Sequence, residues 1–190
     1  MGIVIIILFA IIGVAIYTGV QKNKRESSIN NLENNLNGGS FKSDKKVVNI
    51  DSTFSLFVDN RNKKWMIYDV YSNYKQTMNF EDLLSFELVE DNESLVKGRA
   101  GSAVVGGLLF GGLGALAGAS RSRKIKGVCN NMQINVIVNN LNCPNITIPL
   151  IINQTKKDSF IYKESFKNAQ EFVGVLKYIM ANSKTLLCEN

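Results

Sequence analysis

The chain has 190 residues with 22 Lys and Arg against 16 Asp and Glu, a formal net charge of +6 and no histidine. The missing histidine excludes Ser-His-Asp and Cys-His nucleophile pairs, HExxH metal sites and imidazole acid–base chemistry. Three cysteines, Cys129, Cys143 and Cys188, form an odd set without CxxC spacing, which argues against a disulfide framework or a zinc site and for buried thiols.

Gly2 to Val20, GIVIIILFAIIGVAIYTGV, is uncharged and rich in Ile, Val and Leu. As a helix it spans roughly 28 Å, close to the hydrocarbon thickness of a bilayer. No basic side chain precedes it, and Tyr17 and Thr18 suit a signal peptidase poorly, so the stretch is expected to be an uncleaved anchor. Lys22, Lys24 and Arg25 follow directly. Under the positive-inside rule they place the N-terminus outside and the remainder of the chain in the cytoplasm. Residues 21–46 are mostly Asn, Ser and Lys with a Gly38-Gly39 pair. Ile29, Leu32 and Leu36 are spaced for a short helix, and the segment as a whole reads as a juxtamembrane linker.

From Val47 the period changes to two. Phe54–Val58 and Lys64–Val70, separated by Asp59-Asn-Arg-Asn62, predict a hairpin, and Tyr74–Phe80 a further strand. Glu81-Asp-Leu83 reads as a turn, Ser85–Glu90 alternates as a strand, and Asp91-Asn92 turns the chain into Leu95-Val-Lys97. Glu87, Glu90, Asp91 and Glu93 read as a solvated edge rather than a metal site. Trp65 is expected in the core, and Cys129 and Cys143 are read as small buried hydrophobes.

Between these strands and the next lies GSAVVGGLLFGGLGALAGAS, residues 101–120, without a charge and more than half Gly and Ala. Ala103, Gly107, Gly111, Ala115 and Ala119 recur every fourth residue, a stripe that lets helix backbones approach closely. Arg121, Arg123, Lys124 and Lys126 follow, and Lys97 and Arg99 precede. A single span would divide the sheet across the membrane and strand the basic residues outside, against the positive-inside rule. A helical hairpin broken near Gly111-Gly112 keeps the sheet whole. Each arm is about 14 Å, enough for one leaflet. Such a hairpin either enters lipid or packs on protein, and both readings stay open. Gly112-Leu-Gly-Ala-Leu-Ala117 matches GxGxxA but lacks the βαβ setting and the acidic residue of a dinucleotide site.

Ile125–Cys129, Gln133–Val138 and Ile146–Ile152 complete the strands. Pro149 in the last of them removes a ladder donor and predicts an edge or a bulge. Phe166, Ala169, Phe172, Val173, Leu176, Ile179 and Met180 trace one face of a helix over residues 165–181. The soluble part therefore reads as about seven short antiparallel strands closed by one amphipathic helix. Residues 183–190 form a tail.

The hairpin with Trp65, the run NFEDLLSFELVED and the closing helix resemble bacterial pleckstrin-homology-like (PH-like) domains over roughly residues 50–182. The glycine-rich run with its basic flank is similar to a group of membrane-anchored proteins of Gram-positive bacteria and their phages. The resemblance implies a seven-stranded bent sheet with a C-terminal helix, used for binding. The 101–120 insert is not part of that fold. Lys63 and Lys64 alone do not make an inositol phosphate site.

The expected class is α+β, with a transmembrane anchor at 2–20, a linker at 21–46 and a bent sheet or partial barrel with its helix at 47–182. The expected role is a membrane-anchored binding or scaffold protein without catalysis or cofactor. Its expected partners are the anionic inner leaflet through the basic residues, an unidentified protein, and a second copy of the chain through the small-residue stripe. Nucleic acid is not expected, because the aromatics lie apart from the basic residues. The alternative is a membrane-active oligomer serving phage exclusion or immunity.

Overall fold

The computed structural model describes residues 2–100 and 127–183. Helix α1, Gly2–Asn37, is continuous from the apolar segment into the polar one. Strands β1 (Lys45–Val48), β2 (Phe54–Asp59), β3 (Lys64–Asp69) and β4 (Tyr74–Asn79) form an antiparallel meander in that order. A 3-10 turn, Phe80–Asp82, leads to β5 (Leu83–Glu90) and β6 (Glu93–Arg99). After the insert come β7 (Val128–Cys129), β8 (Met132–Val138), β9 (Asn145–Ile151), β10 (Thr155–Lys156) and helix α2 (Phe160–Ala181). The second sheet has the order β6-β5-β8-β9, and β7 pairs with β10 as a separate two-stranded ribbon.

The architecture is α+β, as expected, and the described strands do not close a barrel. Two four-stranded sheets and a ribbon replace the seven strands read from sequence. Strand β7 ends the run Ile125–Cys129 read as a strand, whereas β1 and β10 are additional, and β10 with two residues is too short to carry a period. Pro149 lies in the edge strand β9, and the register shifts beside it between Met132 and Gln133. An edge or bulge accommodates its missing N–H.

The main core lies between the inner faces of the sheets and α2. Leu56, Trp65, Leu88, Ile134 and Ile148 from the strands meet Ala169, Phe172, Val173 and Leu176 from the helix. Trp65 is fully buried and its indole N–H donates to Asn79 O at 2.9 Å, which satisfies the polar atom that burial would otherwise penalise. Ser159 caps α2 by accepting from Tyr162 N at 3.2 Å.

A second cluster lies on the other face of the first sheet. Phe57, Met66 and Tyr68 point away from α2 and are covered by Ile29 and Phe41, with Leu32 and Leu36 at the margin. Each such side chain contributes roughly 1.5–3 kcal/mol on burial. The reading of 21–46 as a linker is therefore corrected as far as Asn37. The three apolar residues at helical spacing are a docking stripe, and Asn30, Asn31, Asn34 and Asn35 between them face solvent.

Candidate functional site

The described site residues gather where α1 leaves the domain. Among the described residues α1 is the one helix long and apolar enough to cross a membrane, and the side chains of Val4–Val20 are exposed along its length. Beyond them Lys22 and Lys24 are exposed, Lys22 with Glu26 one turn on at 3.7 Å. Arg25 turns inward. Its Nε donates to Asp51 O at 2.9 Å, and its guanidinium lies 5.7 Å from the centroid of the Tyr71 ring.

Further polar contacts fix the register of the docked helix. Ser52 Oγ donates to Glu26 Oε1 at 3.1 Å, and Lys46 pairs with Glu33 and donates to Asn30 Oδ1 at 3.0 Å. Asn37 Oδ1 accepts from Ser43 N at 2.8 Å. An open cleft of about 390 Å³ lies between the helix and the β1–β2 loop, lined in part by Lys22, Lys46, Asn49 and Ser52.

These contacts order the ends of the domain along α1. Arg25 meets the β1–β2 loop and the β3–β4 turn, whereas Asn37 lies by the approach to β1 at the opposite end. The second sheet shares this polarity, since Asn49 Nδ2 donates to Pro149 O at 3.1 Å. In that sheet Pro149 and Ile151 lie level with Gln133 and Met132, and Met132 opposite Glu90. Helix α2 runs the same way, with Asn168 Nδ2 on Val48 O at 2.8 Å and Tyr178 OH on Asn60 Oδ1 at 2.7 Å. The end beside Arg25 therefore comprises the β1–β2 loop, the β3–β4 turn, the β5–β6 turn, the β7–β10 ribbon and the start of α2.

The chain reaches the insert from one end of the second sheet and returns at the other. Arg99 pairs with Ser85 near the end remote from Arg25. Gly127 O accepts from Lys157 N at 3.0 Å beside Glu90. Ser85 and Glu90 alone are about 17 Å apart along a strand. Ala103, Gly107, Gly111, Ala115, Ala119, Arg121, Arg123, Lys124 and Lys126 lie outside the described residues.

A polar cluster stands beside Gly127. Glu90 is buried, which corrects its reading as part of a solvated edge. It accepts from Tyr162 OH at 2.9 Å and pairs with Lys157. The Glu90 hydrogen bond raises the Lys157 pKa above its ordinary 10.5, and burial followed by Glu90 raises that of Tyr162. Asp91 Oδ1 accepts from Asn130 N and Asn131 N at 2.7 and 3.0 Å, and these bonds lower its pKa.

Ligand atoms of Glu90, Asp91 and Cys129 lie within 4.8 Å of one another. The donor set does not favour a metal. Lys157 already supplies the cation, and burial, with Glu90 and Asp91, pushes the Cys129 thiol up to about 11, whereas metal binding requires the thiolate. The cluster is a structural clasp joining the second sheet, the ribbon and α2. Sequence reasoning missed it because Tyr162 and Glu90 are 72 positions apart.

Residues 42–153 match the family described as glycine zipper containing PH domain. The chain belongs to that family. The match spans β1 to β6, the glycine-rich insert and β7 to β9, and so covers the PH-like domain short of β10 and α2. No curated protein and no solved structure matches the chain. PH-like domains typically bind rather than catalyse. In this glycine-zipper PH domain the central strands of the first sheet, β2 and β3, are buried on both faces, by α2 inside and by the polar half of α1 outside.

Proposed function

We propose that the protein is a membrane-anchored binding module. On this reading α1 crosses the membrane over residues 2–20 and holds the glycine-zipper PH domain rigidly on its cytoplasmic side. The observation that carries the proposal is the continuity of α1. The same helix that is apolar and exposed over its first half buries Ile29 on Phe57, Met66 and Tyr68 in its second. A helix docked in this way transmits the orientation of the anchor to the domain, which a polar linker would not. The charge pattern supports the orientation: Lys22, Lys24 and Arg25 follow the apolar segment, as cytoplasmic flanks do.

The second basic group, Arg121, Arg123, Lys124 and Lys126, directly precedes Gly127, which lies at the same end of the domain as Arg25. Both groups then face one anionic leaflet, each Lys or Arg near the surface worth about 1 kcal/mol. The family supports a binding role for the domain. Its ligand on this reading is a protein held at the membrane, and the small-residue stripe from Ala103 to Ala119 pairs copies of the chain.

Fractionation of cells carrying the full chain or a chain lacking residues 1–20 tests this. The full chain should pellet with membranes through alkaline extraction, the shortened one should be soluble, and a C-terminal tag should be protected from protease in intact cells. A full chain released by alkali would sink the anchor, and a tag cleaved from outside would reverse the orientation. Membrane retention of the shortened chain would instead favour insertion of the glycine-rich segment and a membrane-active oligomer.

A further inference from the structure

Among the described residues, the end of the domain beside Arg25 carries a set of exposed apolar side chains. Phe160 is 75% exposed, Ile152 69% and Ile161 57%, and Tyr71 beneath Arg25 is 74% exposed. Val128, on the ribbon strand paired with Lys156, is exposed as well. Phe160 and Ile161 open α2, directly after the Ser159 cap. Exposed apolar groups gathered at one end of a domain mark an interaction surface, and the setting identifies its partner.

We infer that this end of the domain is a second membrane contact, with Ile152, Phe160 and Ile161 entering the headgroup layer of the leaflet that α1 crosses. The inference rests on the proposed anchoring. Its geometry follows from the helices. Arg25 lies five residues beyond Val20, about 7.5 Å along the axis. The polar layer on each side of a bilayer is about 5–7 Å thick. Since Arg25 is bonded to Asp51 O, the β1–β2 loop stands at the inner edge of that layer.

Helix α2 reaches further. Asn168 lies level with Val48 at this end of β1, and Phe160 precedes Asn168 by eight residues, about 12 Å along the axis. The first turn of α2 thus projects past the end of β1 toward the membrane side. The composition suits an interface. Tyr71 joins an apolar ring to a polar tip, and aromatic and aliphatic side chains with nearby lysines characterise segments lying at the headgroup boundary. The exposed Lys156 and Lys163 flank Phe160 and can extend to phosphates while their stems cover apolar surface.

The test places tryptophan at Phe160 in the full chain, reconstituted in vesicles of mixed neutral and anionic phospholipid with bromine on the upper acyl chain. Leu141→Trp is the control: Leu141 is 97% exposed, in the β8–β9 loop at the opposite end. Trp65, the only native tryptophan, is fully buried and supplies the background. Phe160→Trp and, separately, Ile152→Trp should lose emission to the brominated lipid, while Leu141→Trp and the parent chain should not. Quenching of the first two no greater than that of Leu141→Trp, in protein that floats with the vesicles through alkaline extraction, overturns the contact and leaves the anchor standing. Protein that fails to float overturns both.

Discussion

Arg25 and Asp51 are joined across 26 positions by a 2.9 Å hydrogen bond from the guanidinium to a backbone carbonyl. That bond, with the Tyr71 ring on the guanidinium, fastens α1 to the domain within two turns of the last apolar residue of its exposed half. The apolar part of the attachment is Ile29, 1% exposed among Phe57, Met66, Tyr68 and Phe41. Ile29→Ala removes three carbons from that cluster and should cost about 2–5 kcal/mol. The loss should fall on docking. Amide exchange should accelerate across residues 26–37 while Trp65 emission stays that of a buried indole. Unchanged exchange in this segment would show that the polar contacts alone hold the helix.

The Glu90–Lys157–Tyr162 clasp has an alkaline signature. Lys157 titrates above its ordinary 10.5 because Glu90 accepts its hydrogen bond. The raised value means that the pair contributes fully below 10.5 and is lost as pH rises through the native value. Glu90→Gln leaves Lys157 and Tyr162 without their charged partner and should destabilise by about 1–3 kcal/mol near neutrality. Urea midpoints of the variant and parent should converge on the alkaline side. A gap independent of pH would mean that Glu90 acts through packing.

What was legible in the sequence followed from local pattern. Runs of β-formers bounded by turn residues from Phe54 to Glu90 located β2 to β5 but not β1, Pro149 marked an edge strand, and seven apolar residues at helical spacing located α2. The docking of α1 was visible only as spacing. Ile29, Leu32 and Leu36 form a stripe, but the sheet face that they cover, Phe57, Met66 and Tyr68, comes from strands whose other residues are equally apolar. A strand buried on both faces has no polar phase to reveal a second partner. Glu90 failed for a related reason. Its neighbours Glu87, Asp91 and Glu93 suggest solvent, and the two groups that neutralise it come from the distant ribbon and helix. The basic residues after Val20 were legible by order, whereas the inward turn of Arg25 depended on a loop 26 positions away.

Gly98 is held by the ring opposite. It pairs with Phe86 across β5 and β6, and a Cβ added to it would stand 2.4 Å from the Phe86 ring. Phe86 is itself buried in the main core and cannot swing aside without opening a void. Gly98→Ala should therefore destabilise by about 1–3 kcal/mol, as overpacking does, although alanine suits an extended strand better than glycine. Coupling is the sharper check. With Phe86→Leu the penalty of Gly98→Ala should shrink, so thermal unfolding of the double variant should show less than the sum of the two single losses. Strict additivity would exclude the clash.

Asp59 supplies the acid limb of the stability profile. It is fully buried at the end of β2, where Oδ2 accepts from Lys42 N at 2.8 Å and Asn62 Nδ2 at 2.7 Å, and Oδ1 accepts from Asn62 N at 3.0 Å. Burial alone would raise its pKa, but these donors outweigh it and hold the carboxyl below its ordinary 3.8. A lowered native pKa contributes stability above the unfolded value and loses it as pH falls through the native one. Asp91 is depressed likewise by the Asn130 and Asn131 backbone, so the chain should lose stability steeply below pH 3.8. Asp59→Asn replaces an acceptor oxygen by a donor that in either amide orientation faces at least one of these donors, and should cost about 1–3 kcal/mol at neutral pH. Because the substituted amide does not titrate, the acid decline should become shallower, retaining the share due to Asp91. An acid limb of unchanged slope, measured by urea unfolding between pH 5 and pH 2, would show that Asp59 is protonated alike in the folded and unfolded chains.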